Sequence, residues 1–163
     1  MTVIAGWHDK KQAWIGGDSG AFDEDSVVLT ETKVWKTEDG YLVGSSGGFR
    51  LAEVAYESGI GDPHKLRDHI EAWWSNNATA QAENDTTLLV ISTTGVWVIG
   101  GDFSVIRCRE NYGAIGSGGL SALSALCALE NTTMGGKDRM TTALKTSEKH
   151  TNKVRSPFKV ISL

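Results

Sequence analysis

The sequence predicts an α+β fold built on antiparallel sheet, and three observations carry that prediction. Strand-like and helix-like segments come in separate runs, ββββ-αα-βββ-αα-β, instead of alternating one with one. Asp39-Gly40 stands between Lys33-Val34-Trp35-Lys36 and Tyr41-Leu42-Val43, a hairpin signal that joins antiparallel strands. Asp62-Pro63 opens a helix, with Asp62 as cap and Pro63 in the first turn, where its missing N–H costs nothing.

Residues 2–7 and 12–16 read as strands around the polar turn His8-Asp9-Lys10-Lys11. Gly16-Gly17-Asp18-Ser19-Gly20 breaks the pattern, and Asp23-Glu24-Asp25 forms an acidic loop. With the Asp39-Gly40 hairpin, the first third reads as a β-meander. Leu51, Val54, Ala55 and Ile60 keep helical spacing until Gly59-Ile60-Gly61. The Asp62 helix runs to about Trp74, and the polar, Ala-rich stretch 75–85 reads as a loop. Strands resume over 87–92, 96–99 and 103–107. Tyr112 to Gly119 reads as a glycine-rich turn into a helix with Leu120, Leu123, Leu126, Cys127 and Leu129 on its apolar stripe. A fourth helix covers 137–150, and Phe158 to Ile161 closes the chain as a strand. No repeat or linker interrupts residues 1–163, so one domain is expected.

The 163 residues carry a net charge of −4, 40% hydrophobic and 22% charged side chains. That length buries a full core. The charge balance excludes a basic nucleic-acid module and an acidic disordered tail. No run reaches the roughly 18 apolar residues a membrane span needs, and the first residues lack the flank of a signal peptide. Cys108 and Cys127 are too few for a disulfide framework. A soluble, cytoplasmic protein that binds neither nucleic acid nor membrane is expected. His8, His64, His69 and His150 show no ligand spacing and read as surface residues.

The 19 glycines cluster. Gly113 to Gly119 and Gly44-Ser45-Ser46-Gly47-Gly48 each join a strand to a helix. Such a turn can cradle a phosphate, but no Gly-Lys-Ser/Thr and no dinucleotide spacing follow, so a nucleotide-binding module is the weakest reading. Taken singly, Asp18 is a turn residue, Lys33 a strand-edge residue and Ser117 a helix N-cap.

Taken in order, Thr2 at the start of a strand, Asp18 in Gly-Gly-Asp-Ser-Gly, Lys33 in Thr-Lys-Val, the Gly44 turn and Gly116-Ser117-Gly118-Gly119 form a set. This set spans the chain and resembles the proteasome β-subunit family, most of all its HslV branch. The resemblance implies a four-layer αββα sandwich with two antiparallel sheets, the N-terminal nucleophile hydrolase fold. It implies a threonine peptidase with Thr2, freed of Met1, as nucleophile. A hydroxyl is a weak nucleophile without a base. The Thr2 α-amine, with a reference pKa of about 7.7–8.0, supplies one. Lys33 favours the neutral amine, and Asp18 holds Lys33. Gly44 matches the glycine whose N–H binds the oxyanion, and Ser117 the serine that relays the proton.

The same resemblance implies a substrate pocket at Ala21, Glu31, Trp35, Leu42 and Ser46. By residue type alone, Trp35 equally fits a sheet residue packed under a helix. Glu148, Thr151 and Val154 match positions whose backbone carbonyls hold a monovalent cation in the HslV branch; no other cofactor is implied. Thr151 stands where other family members carry a supporting aspartate. The implied partners are further copies in a ring or stacked rings, a separate ATPase unfoldase, and a peptide or unfolded protein as substrate. The six tryptophans would then bury between subunits. The alternative is a silent ring of the same fold, such as a phage virion or assembly component, since an acylated Thr2 nitrogen is no base.

Overall fold

The computed structural model describes residues 2–22, 27–29, 33–78, 84–152 and 154–163. The elements are β1 (Ile4–His8), β2 (Ala13–Asp18), β3 (Gly20–Phe22), β4 (Val27–Leu29), β5 (Val34–Lys36), β6 (Leu42–Ser46), α1 (Phe49–Ser58) and α2 (Pro63–Asn77). After them come β7 (Thr87–Ser92), β8 (Gly95–Ile99), β9 (Val105–Arg107), β10 (Tyr112–Ile115), α3 (Gly119–Leu129), α4 (Gly136–His150) and β11 (Phe158–Ser162). One sheet has the order β10-β1-β2-β11 and the other β5-β6-β7-β8-β9, with β3 and β4 as a separate hairpin. Every described pairing is antiparallel.

Side chains alternate between two buried faces, and that alternation builds the layers. Along β1, Val3, Ala5 and Trp7 pack toward α3 and α4, while Ile4 points to the other sheet. Along β7, Leu88 and Val90 pack toward α1 and α2, while Leu89 and Ile91 meet Ile4 and Ile15 between the sheets. The result is helix, sheet, sheet, helix: the four-layer sandwich. A strand covered on both faces reads as an unbroken apolar run, as Thr87-Leu88-Leu89-Val90-Ile91 does.

Several local expectations change. The strands of the first third divide between the two sheets, so they do not form one meander. Tyr112–Ile115 is a strand, paired with β1 from Ile4↔Ile115 to Trp7↔Tyr112. Its small residues hid it: a Cβ at Gly113 would lie 2.9 Å from Val96 of the facing sheet. His8 is buried, because the end of β1 is covered. The six tryptophans are buried or pack against the helix–sheet cores within the chain, so intersubunit burial is not needed to account for them. Asp62 caps α2 as expected, accepting from the His64 and Lys65 N–H groups. No described helix is long and apolar enough to cross a membrane.

Candidate active site

Thr2 precedes β1 at the mouth of the sandwich, where three segments distant in sequence converge. Its side chain is buried, with the residue 5% exposed. Lys33, just before β5, donates from Nζ to Thr2 Oγ1 at 2.7 Å and to Asp18 Oδ1 at 3.1 Å. A third donation goes to the Gly20 carbonyl. An ammonium has three protons to give, and all three are placed.

Asp18, the last residue of β2, is held just as fully. Its Oδ1 also accepts the Val3 N–H at 2.9 Å, and its Oδ2 accepts the Gly20 N–H at 3.1 Å. The carboxylate therefore ties the strand that carries Thr2 to the lysine that meets it. The Lys33–Asp18 pair is nearly free of solvent, with side chains 6% and 0% exposed. Burial lowers the Lys33 pKa below its ordinary value, and the Asp18 charge and hydrogen bond oppose that shift.

Ser117 lies on the opposite side of Thr2. The Thr2 N–H points to Ser117 Oγ at 3.3 Å. The Gly118 N–H donates to the Thr2 carbonyl at 3.2 Å, so the turn grips the backbone of Thr2. Gly116 adopts φ +86°, and a Cβ there would sit 2.3 Å from the Thr2 carbonyl oxygen. Both facts require glycine. Ser117 is not the helix cap: α3 is capped at Gly118 with no side-chain hydrogen bond. The turn's amides hold Thr2 and close the turn itself, which removes the basis for the phosphate-cradle reading.

Gly44 is not an open oxyanion donor. It lies inside β6, with Val34 and Leu89 as its cross-strand partners. Glycine is required there because a Cβ would meet Ile4 of the other sheet at 2.5 Å. The chain leaves the sheet three residues later, at Gly47, with φ +94°. Its N–H has no partner among the described residues. The Gly44-to-Gly48 cluster carried the signal, but only the strand's end separates a ladder amide from one without a partner among the described residues.

The pocket positions separate. Leu42 is fully buried between the sheets, and Trp35 is buried under α1, edge-on to Tyr56 at 5.7 Å. Neither lines a cleft at Thr2. Trp35 is the sheet residue packed under a helix. Ser46 stays beside the site, its Oγ 2.9 Å from the Cβ position of Gly116. Ala21 lies in β3 opposite Val28, and Glu31 is outside the described residues. The cleft that does open at Lys33, about 630 Å³, is lined by Ser45 and one face of α1: Phe49, Arg50, Glu53, Tyr56 and Glu57. Sequence reasoning missed these α1 residues, although their spacing puts them opposite Leu51, Val54 and Ala55.

Of the cation positions, Glu148 lies in the last turn of α4, and Thr151 and Val154 follow the helix. The Thr151 carbonyl accepts the Val154 N–H at 3.4 Å, and the Val154 carbonyl accepts Arg155 Nη1 at 3.4 Å. The Arg155 guanidinium competes with a cation for one of the three oxygens. The Glu148 carboxylate caps the Ser156 N–H at 2.8 Å.

No family model and no curated protein matches the sequence. Solved structures do. HslV from Trypanosoma brucei is 20% identical, with a TM-score of 0.79 over 99% of each chain. BPH from Thiobacillus denitrificans, in complex with epoxomicin, is 13% identical, with a TM-score of 0.83 over 99% of this chain and 98% of that one. Anbu, an ancestral β-subunit from Yersinia bercovieri, is 11% identical, with a TM-score of 0.76 over 99% of this chain and 81% of that one. With its two antiparallel sheets between two helical layers, the chain has the HslV-like fold of the N-terminal nucleophile hydrolases.

Proposed function

We propose that this protein is a threonine peptidase of the HslV type, working inside a ring of identical subunits after Met1 is removed. The observation that carries the reading is Lys33 Nζ at 2.7 Å from Thr2 Oγ1, inside a buried pair with Asp18. Such a contact serves little purpose for packing and a clear one for chemistry. A cation held against a hydroxyl favours its ionisation.

In this mechanism the freed α-amine of Thr2 takes the hydroxyl proton as Oγ1 attacks the peptide carbonyl. Lys33 stabilises the developing alkoxide and depresses the amine's pKa toward working pH. Ser117 Oγ, beside the amine nitrogen, orients it and relays its proton to the leaving amine. The tetrahedral oxyanion takes the Gly47 N–H. A single such donor is worth about 2.7–4 kcal/mol. Water then attacks the ester on Thr2 Oγ1 and returns the hydroxyl. While Met1 remains, the Thr2 nitrogen is a peptide amide and no base. In this reading, folded substrates call for a separate ATPase. The test is cleavage of fluorogenic peptides by Met1-free protein, abolished in Thr2→Ala with assembly unchanged. A silent ring would give assembly with no cleavage in either protein.

A further inference from the structure

Among the described residues, four charged side chains line the cleft at Lys33, and three of them are already matched. Lys33 is held by the buried Asp18 carboxylate, and all its protons are placed. Arg50 pairs with Glu53 at 3.0 Å, and its guanidinium lies over the Trp73 ring of α2, 5.3 Å from the centroid. Glu57 has no ion-pair partner among the described residues. The described lining therefore carries one uncompensated negative charge.

The apolar part of the wall is aromatic. Phe49 and Tyr56 lie about two turns apart on α1. With Glu53 and Glu57 they share the face opposite the buried Leu51, Val54 and Ala55. Both rings are exposed. Tyr56 is steadied by its edge-on contact with Trp35, so its ring is presented in a fixed attitude. A ring face attracts a cation, and so does the carboxylate beside it. A lysine or arginine side chain has both parts that such a wall rewards: an apolar stem for the rings and a charged head for the carboxylate. An acidic side chain would meet the Glu57 charge, and a purely apolar one would desolvate that charge without pairing it.

We propose that this cleft selects a lysine or arginine side chain, with Phe49 and Tyr56 against its stem and Glu57 against its charged head. Glu57 is then the specificity-determining residue. The cleft opens at the lysine whose Nζ meets Thr2 Oγ1. The selected side chain therefore belongs to the residue whose carbonyl carbon Oγ1 attacks, since only that half of the substrate stays bound in the ester. Cleavage after basic residues is the consequence. The place of that side chain beside the scissile bond rests on the peptidase reading above; the binding of a cationic side chain does not.

The experiment measures binding and cleavage separately. Saturation-transfer NMR on Met1-free Thr2→Ala protein reads binding without turnover. The probes are acetyl-dialanyl peptide amides that end in arginine, norleucine or glutamate. The arginine amide should bind about tenfold more tightly than the norleucine amide, the combined worth of an exposed ion pair and a cation–π contact. The glutamate amide should bind most weakly. Glu57→Gln should cut the arginine preference to about threefold or less, what the rings alone supply. Glu57→Lys should reverse the order and place glutamate first, with unchanged circular dichroism. Cleavage by Met1-free protein with Thr2 intact, on aminocoumarin amides of the same peptides, should rank kcat/KM in the same order. Equal binding of arginine and norleucine, or an arginine preference that persists in Glu57→Lys, would overturn the assignment of the cleft. Cleavage that ignores the charge of the side chain would overturn it too and leave the peptidase reading standing. A binding preference that follows residue 57 in a protein that cleaves none of the peptides overturns the peptidase reading and supports the cleft.

Discussion

Lys33 Nζ donates to Thr2 Oγ1 at 2.7 Å, and the same nitrogen donates to Asp18 at 3.1 Å. One buried cation thus joins three segments, and Asp18 in turn fixes the strand of Thr2 through the Val3 N–H. Position and charge of the Thr2 hydroxyl's neighbour come from one network.

Lys33→Met removes the cation at nearly constant length. Turnover should fall about 10²–10³-fold, the scale for losing one stabilising donor, with the mass in solution unchanged by light scattering. Thermal unfolding should drop as well, because the buried Asp18 carboxylate keeps its two backbone donors and loses its counter-ion.

The rate should be bell-shaped in pH. It rises as the Thr2 amine loses its proton, below about 8 given the neighbouring cation. It falls again as Lys33 loses its own, at a pH below its ordinary 10.5 because burial lowers its pKa. Initial rates of peptide cleavage across pH 6–11 (a range set by about 2 units beyond the amine and lysine values) measure both limbs. The upper limb should vanish in Lys33→Met.

Gly116→Ala should cost more than about 1 kcal/mol, the penalty for a side chain where φ is positive, and should lower turnover too. The new Cβ can relax only by moving the Thr2 carbonyl, and with it the Thr2 hydroxyl. Chemical denaturation and peptide cleavage on the same protein check the two effects together.

Leu42→Ala distinguishes core from pocket. Buried between the sheets, Leu42 should cost about 2–5 kcal/mol on truncation and leave the relative rates on a peptide panel unaltered. Glu57→Gln, in the cleft face of α1, should do the reverse.

His8 makes folding sensitive to acid. Burial lowers its pKa below 6.5, so between that lowered value and 6.5 the unfolded chain binds more protons than the native one. The stability contributed by neutral His8 is present above pH 6.5 and is lost as pH falls through the folded pKa. His8→Gln should flatten this acid limb in thermal unfolding between pH 5 and 7 (within about 1.5 units of the reference value).

The fold was legible where local chemistry is decisive. Asp39-Gly40, Asp62-Pro63 and the spacing of Leu51, Val54 and Ala55 mark turns, caps and faces without tertiary help. Tyr112–Ile115 was not legible, because Gly113 is pressed against the other sheet and Ala114 against α3, and the strand loses its β-branched signature. The cluster of Thr2, Asp18, Lys33 and Ser117 was legible as an ordered set along the chain, and the structure brings the four together. Gly44 and Leu42 were not, since register alone decides whether a strand residue faces a ladder, a core or a cleft. His8 failed for the same reason: sequence shows no ligand spacing, and its neighbours Thr93, Arg107 and Asn111 come from distant segments.

The central claim is that Thr2 acts as an N-terminal nucleophile, and the state of its nitrogen decides it. Intact-mass measurement on protein from its native source, with the same sample assayed on fluorogenic peptides, reads that state directly. The account predicts a mass lower by one methionine and cleavage that disappears in Thr2→Ala. Full retention of Met1 in a protein that cleaves no peptide would contradict it, because the base that the mechanism requires would not exist.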